Sequence, residues 1–197
     1  GCESPFKARM NATPAAKTII GTNYTLTTAS GAITFSGAVD ALASNPSIPS
    51  LTIAAVTGQV TFGGAVGQVS PLSTLSVTST AAATTVTGNI TTTGAQTYGN
   101  KVTLAANTVF TGSGFTFASS GVQVDGVSGT NYTSGINFSD IGTFTRPTID
   151  GAKWVNLGAF TTGSTAPINL TGSLTTPGAQ TYNAAVTLTG TTTLTTT

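Results

Sequence analysis

One stretch of this chain occurs twice. Thr92-Thr93-Gly94-Ala95-Gln96-Thr97-Tyr98 returns as Thr176-Pro177-Gly178-Ala179-Gln180-Thr181-Tyr182, and Val102-Thr103-Leu104 returns as Val186-Thr187-Leu188, all at an offset of 84. Thr108 and Thr111 match Thr192 and Thr195, and Phe110 is answered by Leu194. A second repeat lies upstream. Gly31-Ala32-Ile33-Thr34-Phe35-Ser36-Gly37-Ala38-Val39 returns as Gly58-Gln59-Val60-Thr61-Phe62-Gly63-Gly64-Ala65-Val66, at an offset of 27. Each copy is followed by a Pro-containing loop and another apolar run, Leu51-Thr52-Ile53 or Leu75-Ser76-Val77. Units of about 20 to 30 residues cannot bury an apolar face alone; they do so by stacking on their neighbours.

The local period names the element. Ile33 and Phe35, Val60 and Phe62, Leu75 and Val77, and Val102, Leu104 and Val109 are spaced by polar residues, as in half-buried strands. The chain holds 44 Thr, a β-branched residue suited to a pleated surface, and 24 Gly to punctuate turns. No segment reads as a convincing helix. The expected fold is all-β: a parallel β-helix, or solenoid, with a β-sandwich filament subunit as the alternative. At about 22 residues per coil and ~4.8 Å per coil, the chain would make about nine coils and a rod of roughly 40 Å.

Four regions follow. Residues 1–29 form an N-terminal lead or cap, and 30–111 carry solenoid repeats. Residues 112–170 break the pattern as an irregular β insertion or subdomain. Residues 171–197 hold a further, truncated repeat. The irregular region concentrates Trp154, Phe115, Phe117, Tyr132, Phe138, Phe144 and Phe160, and five of the eleven charges: Asp125, Asp140, Arg146, Asp150 and Lys153.

The repeat phrases resemble units of large bacterial β-strand-repeat proteins, similar to filamentous haemagglutinin-like exoproteins and giant surface adhesins. The resemblance covers 30–111 and 171–197. It implies a right-handed parallel β-helix, export to the cell surface, and a role in adhesion, matrix or filament building. The Asn-Pro-Asn-Gly-type signature of the secretion domain of that family is absent, so the chain reads as a repeat-region piece or as a different protein that borrowed the repeat. The motifs are architectural, so Gly94, Gln96, Tyr98, Gly178, Gln180 and Tyr182 are read as repeat-defining structural residues.

Catalysis finds little to work with. The chain has no His, and its single Cys2 lies in the lead with no partner for an internal disulfide or a thiol nucleophile. No Ser sits in a Gly-x-Ser-x-Gly elbow. Asp140, Arg146 and Asp150, with Lys153, are near enough in sequence to converge as in polysaccharide-cleaving β-helices. Their Asp-Gly and Arg-Pro settings read more simply as turns. No cofactor or metal is expected. Charged residues make up 6% of the chain, against roughly 25% in ordinary domains, and the net charge is +1. That leaves no electrostatic footprint for nucleic acid. No apolar run approaches the ~20 residues of a membrane span. The expected role is a structural or adhesive segment outside the cell, not an enzyme. Its expected partners are itself, as homopolymer or continuing chain, and host or matrix glycans. The alternatives are a self-assembling filament subunit, through end stacking or exchange of a terminal strand, and a polysaccharide-binding or -cleaving β-helix. Trp154, Arg146, Asp140 and Asp150 mark the expected binding surface.

Overall fold

The computed structural model describes residues 16–79, 82–117, 124–126, 136–145, 148–162 and 168–197, with 136–145, 148–150 and 152 described through the backbone alone. Cys2, Tyr132 and Arg146 lie outside these residues. The chain winds as a β-solenoid of about seven turns with essentially no helix. Among the described residues every strand pairing is parallel, which removes the sandwich alternative.

Each coil has three faces. The first coil is β1 (Thr18–Ile20), β2 (Tyr24–Thr28) and β3 (Ile33–Phe35). The second is β4 (Val39–Ala41), β5 (Leu51–Ala55) and β6 (Val60–Phe62). In the third, a single bridge at Val66 precedes β7 (Leu75–Val77) and β8 (Thr84–Val86). The fourth is β9 (Ile90–Thr91), β10 (Ala95–Tyr98) and β11 (Val102–Leu104). In the fifth, β12 (Thr108–Thr116) bends across two faces before β13 (Val124–Asp125). Then come β14 (Ile136–Thr145), β15 (Thr148–Asp150) and β16 (Trp154–Val155), joined by one 3-10 turn at Gly151–Lys153. The last two coils are β17 (Phe160–Thr161), β18 (Ile168–Thr171) and β19 (Leu174–Thr176), then β20 (Gln180–Thr181), β21 (Val186–Leu188) and β22 (Leu194–Thr196).

The 27-residue repeat is one coil. Ile33, Thr34 and Phe35 pair with Val60, Thr61 and Phe62, and Val39 bridges to Val66. The Phe35 and Phe62 rings stack at 5.4 Å, nearly parallel. The next step is shorter, with Leu51 opposite Leu75. Steps range from 18 residues (Thr84 to Val102) to 31 (Gly114 to Thr145), so the coils are far from a uniform 22-residue period.

The 84-residue repeat is not a whole number of coils. Gln96 in β10 lies on the second face, between β7 and β12. Gln180 in β20 lies on the first face, against β17. The second copy begins eleven faces after the first, one short of four full turns. What repeats is a corner unit, and the stack accepts that unit on either face.

The alternation of side chains is as the sequence predicts over β5, where Leu51, Ile53 and Ala55 are buried and Thr52 and Ala54 face outward. Val109 is a correction. It faces outward, and Phe110 takes the core position, because the inward phase of Val102 and Leu104 continues unchanged through Thr108 and Phe110 and Val109 falls between them.

The described strands of region 112–170 continue the ladders: Val102 pairs with Val124, Val124 with Trp154, and Ile136 with Phe160. The stack also begins before residue 30, since β1 and β2 already pair with the second coil. The core runs the length of the rod, from Ile20 to Leu174.

Candidate functional site

The repeat-defining residues form a polar corner, built twice. Gln96 is fully buried. Its Nε2 donates to the Thr111 carbonyl of the following coil at 2.8 Å, with Thr92 Oγ1 at 3.2 Å and the Ile90 carbonyl at 3.4 Å. The Tyr98 hydroxyl donates to Gln96 Oε1 at 2.9 Å. Thr92 Oγ1 donates to the Gly94 carbonyl at 2.7 Å. Eighty-four residues on, Gln180 Nε2 donates to the Thr195 carbonyl at 2.9 Å and to the Leu174 carbonyl at 3.1 Å. Tyr182 donates to Gln180 Oε1 at 2.9 Å, and Thr176 to the Gly178 carbonyl at 2.7 Å. An amide suits this corner because it presents donors and an acceptor at once. It ties two successive coils and leaves its oxygen for the tyrosine. Burial alone raises the Tyr98 pKa well above the usual phenol value, so this hydroxyl stays a donor. Tyr182 is raised for the same reason.

Gly94 and Gly178 serve close packing. A Cβ on Gly94 would press on the Ser73 carbonyl of the preceding coil, and one on Gly178 on the Gly158 carbonyl. The participation of Thr92 and Thr176 was not singled out from sequence, although both stand at the start of the repeated phrase.

The two repeat tyrosines are linked by an aromatic spine. Tyr98 stacks on Phe117 at 5.4 Å, Phe117 meets Trp154 edge-on at 5.1 Å, Trp154 meets Phe160 at 5.9 Å, and Phe160 meets Tyr182 at 5.7 Å. Trp154 is therefore a correction. It was expected on a binding surface but is 2% exposed, pointing inward from β16 in the column of Val102 and Val124. The aromatic residues that made 112–170 look distinct, where described, fill the core.

The expected acidic cluster is only partly placed. Asp140 stands in β14 opposite Gly112 on the first face, and Asp150 in β15 opposite Thr171 on the second. The backbone therefore sets them on different faces. Among the described residues, no group of three His, Cys, Asp or Glu gathers as a metal site.

Two charged groups were not anticipated as partners. Asp40, 1% exposed, accepts from the backbone N–H groups of Val69 (3.0 Å) and Ser70 (3.2 Å) through Oδ1. Among the described residues, only the Lys17 ammonium, at 2.9 Å, reaches its Oδ2. Burial pushes the Asp40 pKa up, but the Lys17 bond and the two backbone donors outweigh it and hold the carboxyl below its ordinary value. This carboxylate fastens the loop that replaces a strand in the third coil. On the third face, Lys101 pairs with Asp125 at 3.2 Å, and Asn156 donates to Asp125 at 2.9 Å.

The outer faces carry hydroxyls in register. On the second face Thr25, Thr52, Ser76, Thr97 and Thr116 stand opposite one another in succession. On the third, Thr34, Thr61, Thr85 and Thr103 form a column ending at Asp125. A hollow of about 360 Å³ opens near the last coils, lined by Gly151, Trp154, Asn156, Leu157, Ser173 and Pro177 among others, so the little of Trp154 that is exposed borders it. The chemistry of these surfaces is hydrogen bonding by neutral groups. Among the described residues no helix is long and apolar enough to cross a membrane. No protein-family model, curated protein or solved structure matches the chain.

Proposed function

We propose that this chain is a rigid spacer: a β-helical stalk or fibre segment of an extracellular surface protein that carries adhesive contacts. The observation behind this reading is the stacking of parallel strands, coil on coil, around one core that runs from Ile20 to Leu174. Successive coils are joined by parallel main-chain ladders, so bending or stretching the stack breaks main-chain bonds. Export and attachment to host or matrix glycans belong to the same proposal. Their support is the resemblance of the repeat phrases and the neutral, hydroxyl-bearing outer faces, which suit hydrogen bonding to sugars.

The test has two arms. Labels at Thr25→Cys and Thr187→Cys, in a Cys2→Ser background, sit on one face at opposite ends of the stack. Seven steps at ~4.8 Å give an expected separation of about 34 Å along the axis. Single-molecule energy transfer should report one narrow distribution near that value, and a broad one would overturn the spacer. Cells displaying the chain should bind immobilised matrix glycans more than bare cells do. Equal binding would overturn the adhesive part.

A further inference from the structure

Deepening the adhesive reading and resting on it, we propose that the hollow between β16 and β19 is a subsite for one neutral sugar ring of a glycan chain.

The hollow lies where one face of the stack comes apart. On the third face β16 pairs with β13 and β19 with β22, but β16 and β19 form no ladder with each other. The other two faces hold together at the same level, through β14 with β17 and β15 with β18. β16 stops after two residues because Asn156 turns the chain at φ +56°, the one non-glycine positive φ among the described residues. Strand backbone does not continue through that conformation. Both walls are interior to the stack, since β13 backs one and β22 the other.

The hollow is closed at both ends. A Cβ on Gly151 would meet the Ser173 carbonyl at 2.6 Å, so the coils touch at one corner. At the other corner the Gly178 N–H donates to the Gly158 carbonyl at 2.8 Å. The coils therefore part only in between. An added peptide strand needs an open edge along which to run, and this gap offers none. A compact molecule fits better: about 360 Å³ lies near the lower end of the ~300–1,000 Å³ of small-molecule sites.

The lining selects the chemistry. Its side chains are all uncharged, which favours a neutral ligand. Buried Trp154 and Leu157 give it an apolar side, and exposed Ser173 and Thr175 a hydroxyl side. Leu174 and Thr176 turn main-chain groups to β22, so those of the intervening Thr175 turn toward β16. A sugar ring matches such a lining, because it has C–H faces and a rim of hydroxyls that both donate and accept.

The experiment titrates the 197-residue chain with the methyl glycosides of glucose, galactose and mannose, with N-acetylglucosamine, and with N-acetylneuraminic acid as a charged comparison. Trp154 is the only tryptophan and borders the hollow, so its emission reports occupancy. At least one neutral sugar should shift that emission saturably. The charged sugar should bind about tenfold or more weaker, because its carboxylate would enter the hollow unpaired. Thr175→Phe fills the hollow from an exposed position and should weaken the neutral sugar by about tenfold or more. Ser173→Phe is a second filling variant, and circular dichroism checks that each keeps the fold. Thr61→Phe, on the same face in the second coil, should leave the affinity unchanged. No saturable shift with any neutral sugar would overturn the subsite, as would equal affinity for the charged one. Binding that survives both filling variants and falls with Thr61→Phe would also overturn it, while leaving the adhesive reading to the outer hydroxyl columns. Failure of the adhesive reading shows separately, as equal glycan binding by displaying and bare cells.

Discussion

Replacing Gln96 by Leu keeps the volume of the side chain and removes its polar atoms. The mutant loses the bond to the Thr111 carbonyl at 2.8 Å and the bond from Tyr98 at 2.9 Å. The Thr111 carbonyl keeps the Thr92 N–H as a partner, but the buried Tyr98 hydroxyl loses the Gln96 acceptor. Two bonds at about 1 kcal/mol each, and about 1–2 kcal/mol for the stranded hydroxyl, give a loss of about 3 kcal/mol. That is a large fraction of the ~5–15 kcal/mol that holds a domain together. The repeat supplies an internal control. Gln180→Leu removes the same contacts from a half-buried corner, where water replaces them, and should cost less than about 1 kcal/mol. Adding Tyr98→Phe to Gln96→Leu removes the stranded hydroxyl and should recover ~1–2 kcal/mol, a coupling that a double-mutant cycle isolates. The assay is urea unfolding followed by fluorescence of Trp154, which sits on the aromatic spine between the two corners. With a slope near ~3 kcal/mol/M, Gln96→Leu should lower the midpoint by about 1 M. Equal losses at Gln96 and Gln180, or a double mutant no more stable than Gln96→Leu, would refute the reasoning.

Three further outcomes follow from the same geometry. Because the folded Asp40 pKa lies below its unfolded value of 3.8, the carboxylate contributes stability above that value and loses it as pH falls through the folded pKa; acid unfolding of Asp40→Asn should therefore depend less on pH below about 4 than that of the unmodified chain. Gly67 has φ +67°, and a Cβ there would overlap the Thr91 carbonyl of the next coil, so Gly67→Ala should cost at least ~2 kcal/mol in thermal or urea unfolding. Trp154 should emit at short wavelength and resist acrylamide quenching, and Phe160→Ala beside it should lower stability by ~3–5 kcal/mol, whereas Thr61→Lys on the outer column should change it by less than ~0.5 kcal/mol.

Legibility followed the range of the interactions. The alternation at Ile33–Phe35 and Val60–Phe62, and their offset of 27, fix strands, inward residues and a coil all at once, because a β-solenoid pairs each residue with its counterpart one coil away. The region around Trp154 was misread because aromatic and charged residues there break the repeat phrase. Their inward positions depend on pairing with Val124, thirty residues earlier, which no local pattern shows. Asp40 carries no signal in the sequence pattern, and only the loop at Val69 and Ser70 folding back over it makes it a buried anchor.

By itself, then, the sequence determined the unit: an apolar-alternating strand, a Gly-marked turn, and a Gln–Tyr corner repeated at 84 residues. These are properties of short segments, carried by β-branched side chains and turn residues wherever they occur. Tertiary structure alone decided on which face each unit sits. Loop lengths accumulate along the winding, so the second corner arrives eleven faces after the first and lands one face short. The same non-local winding turned Trp154 inward to join the two corner tyrosines, because the core of a stacked coil is completed only by the coil beside it.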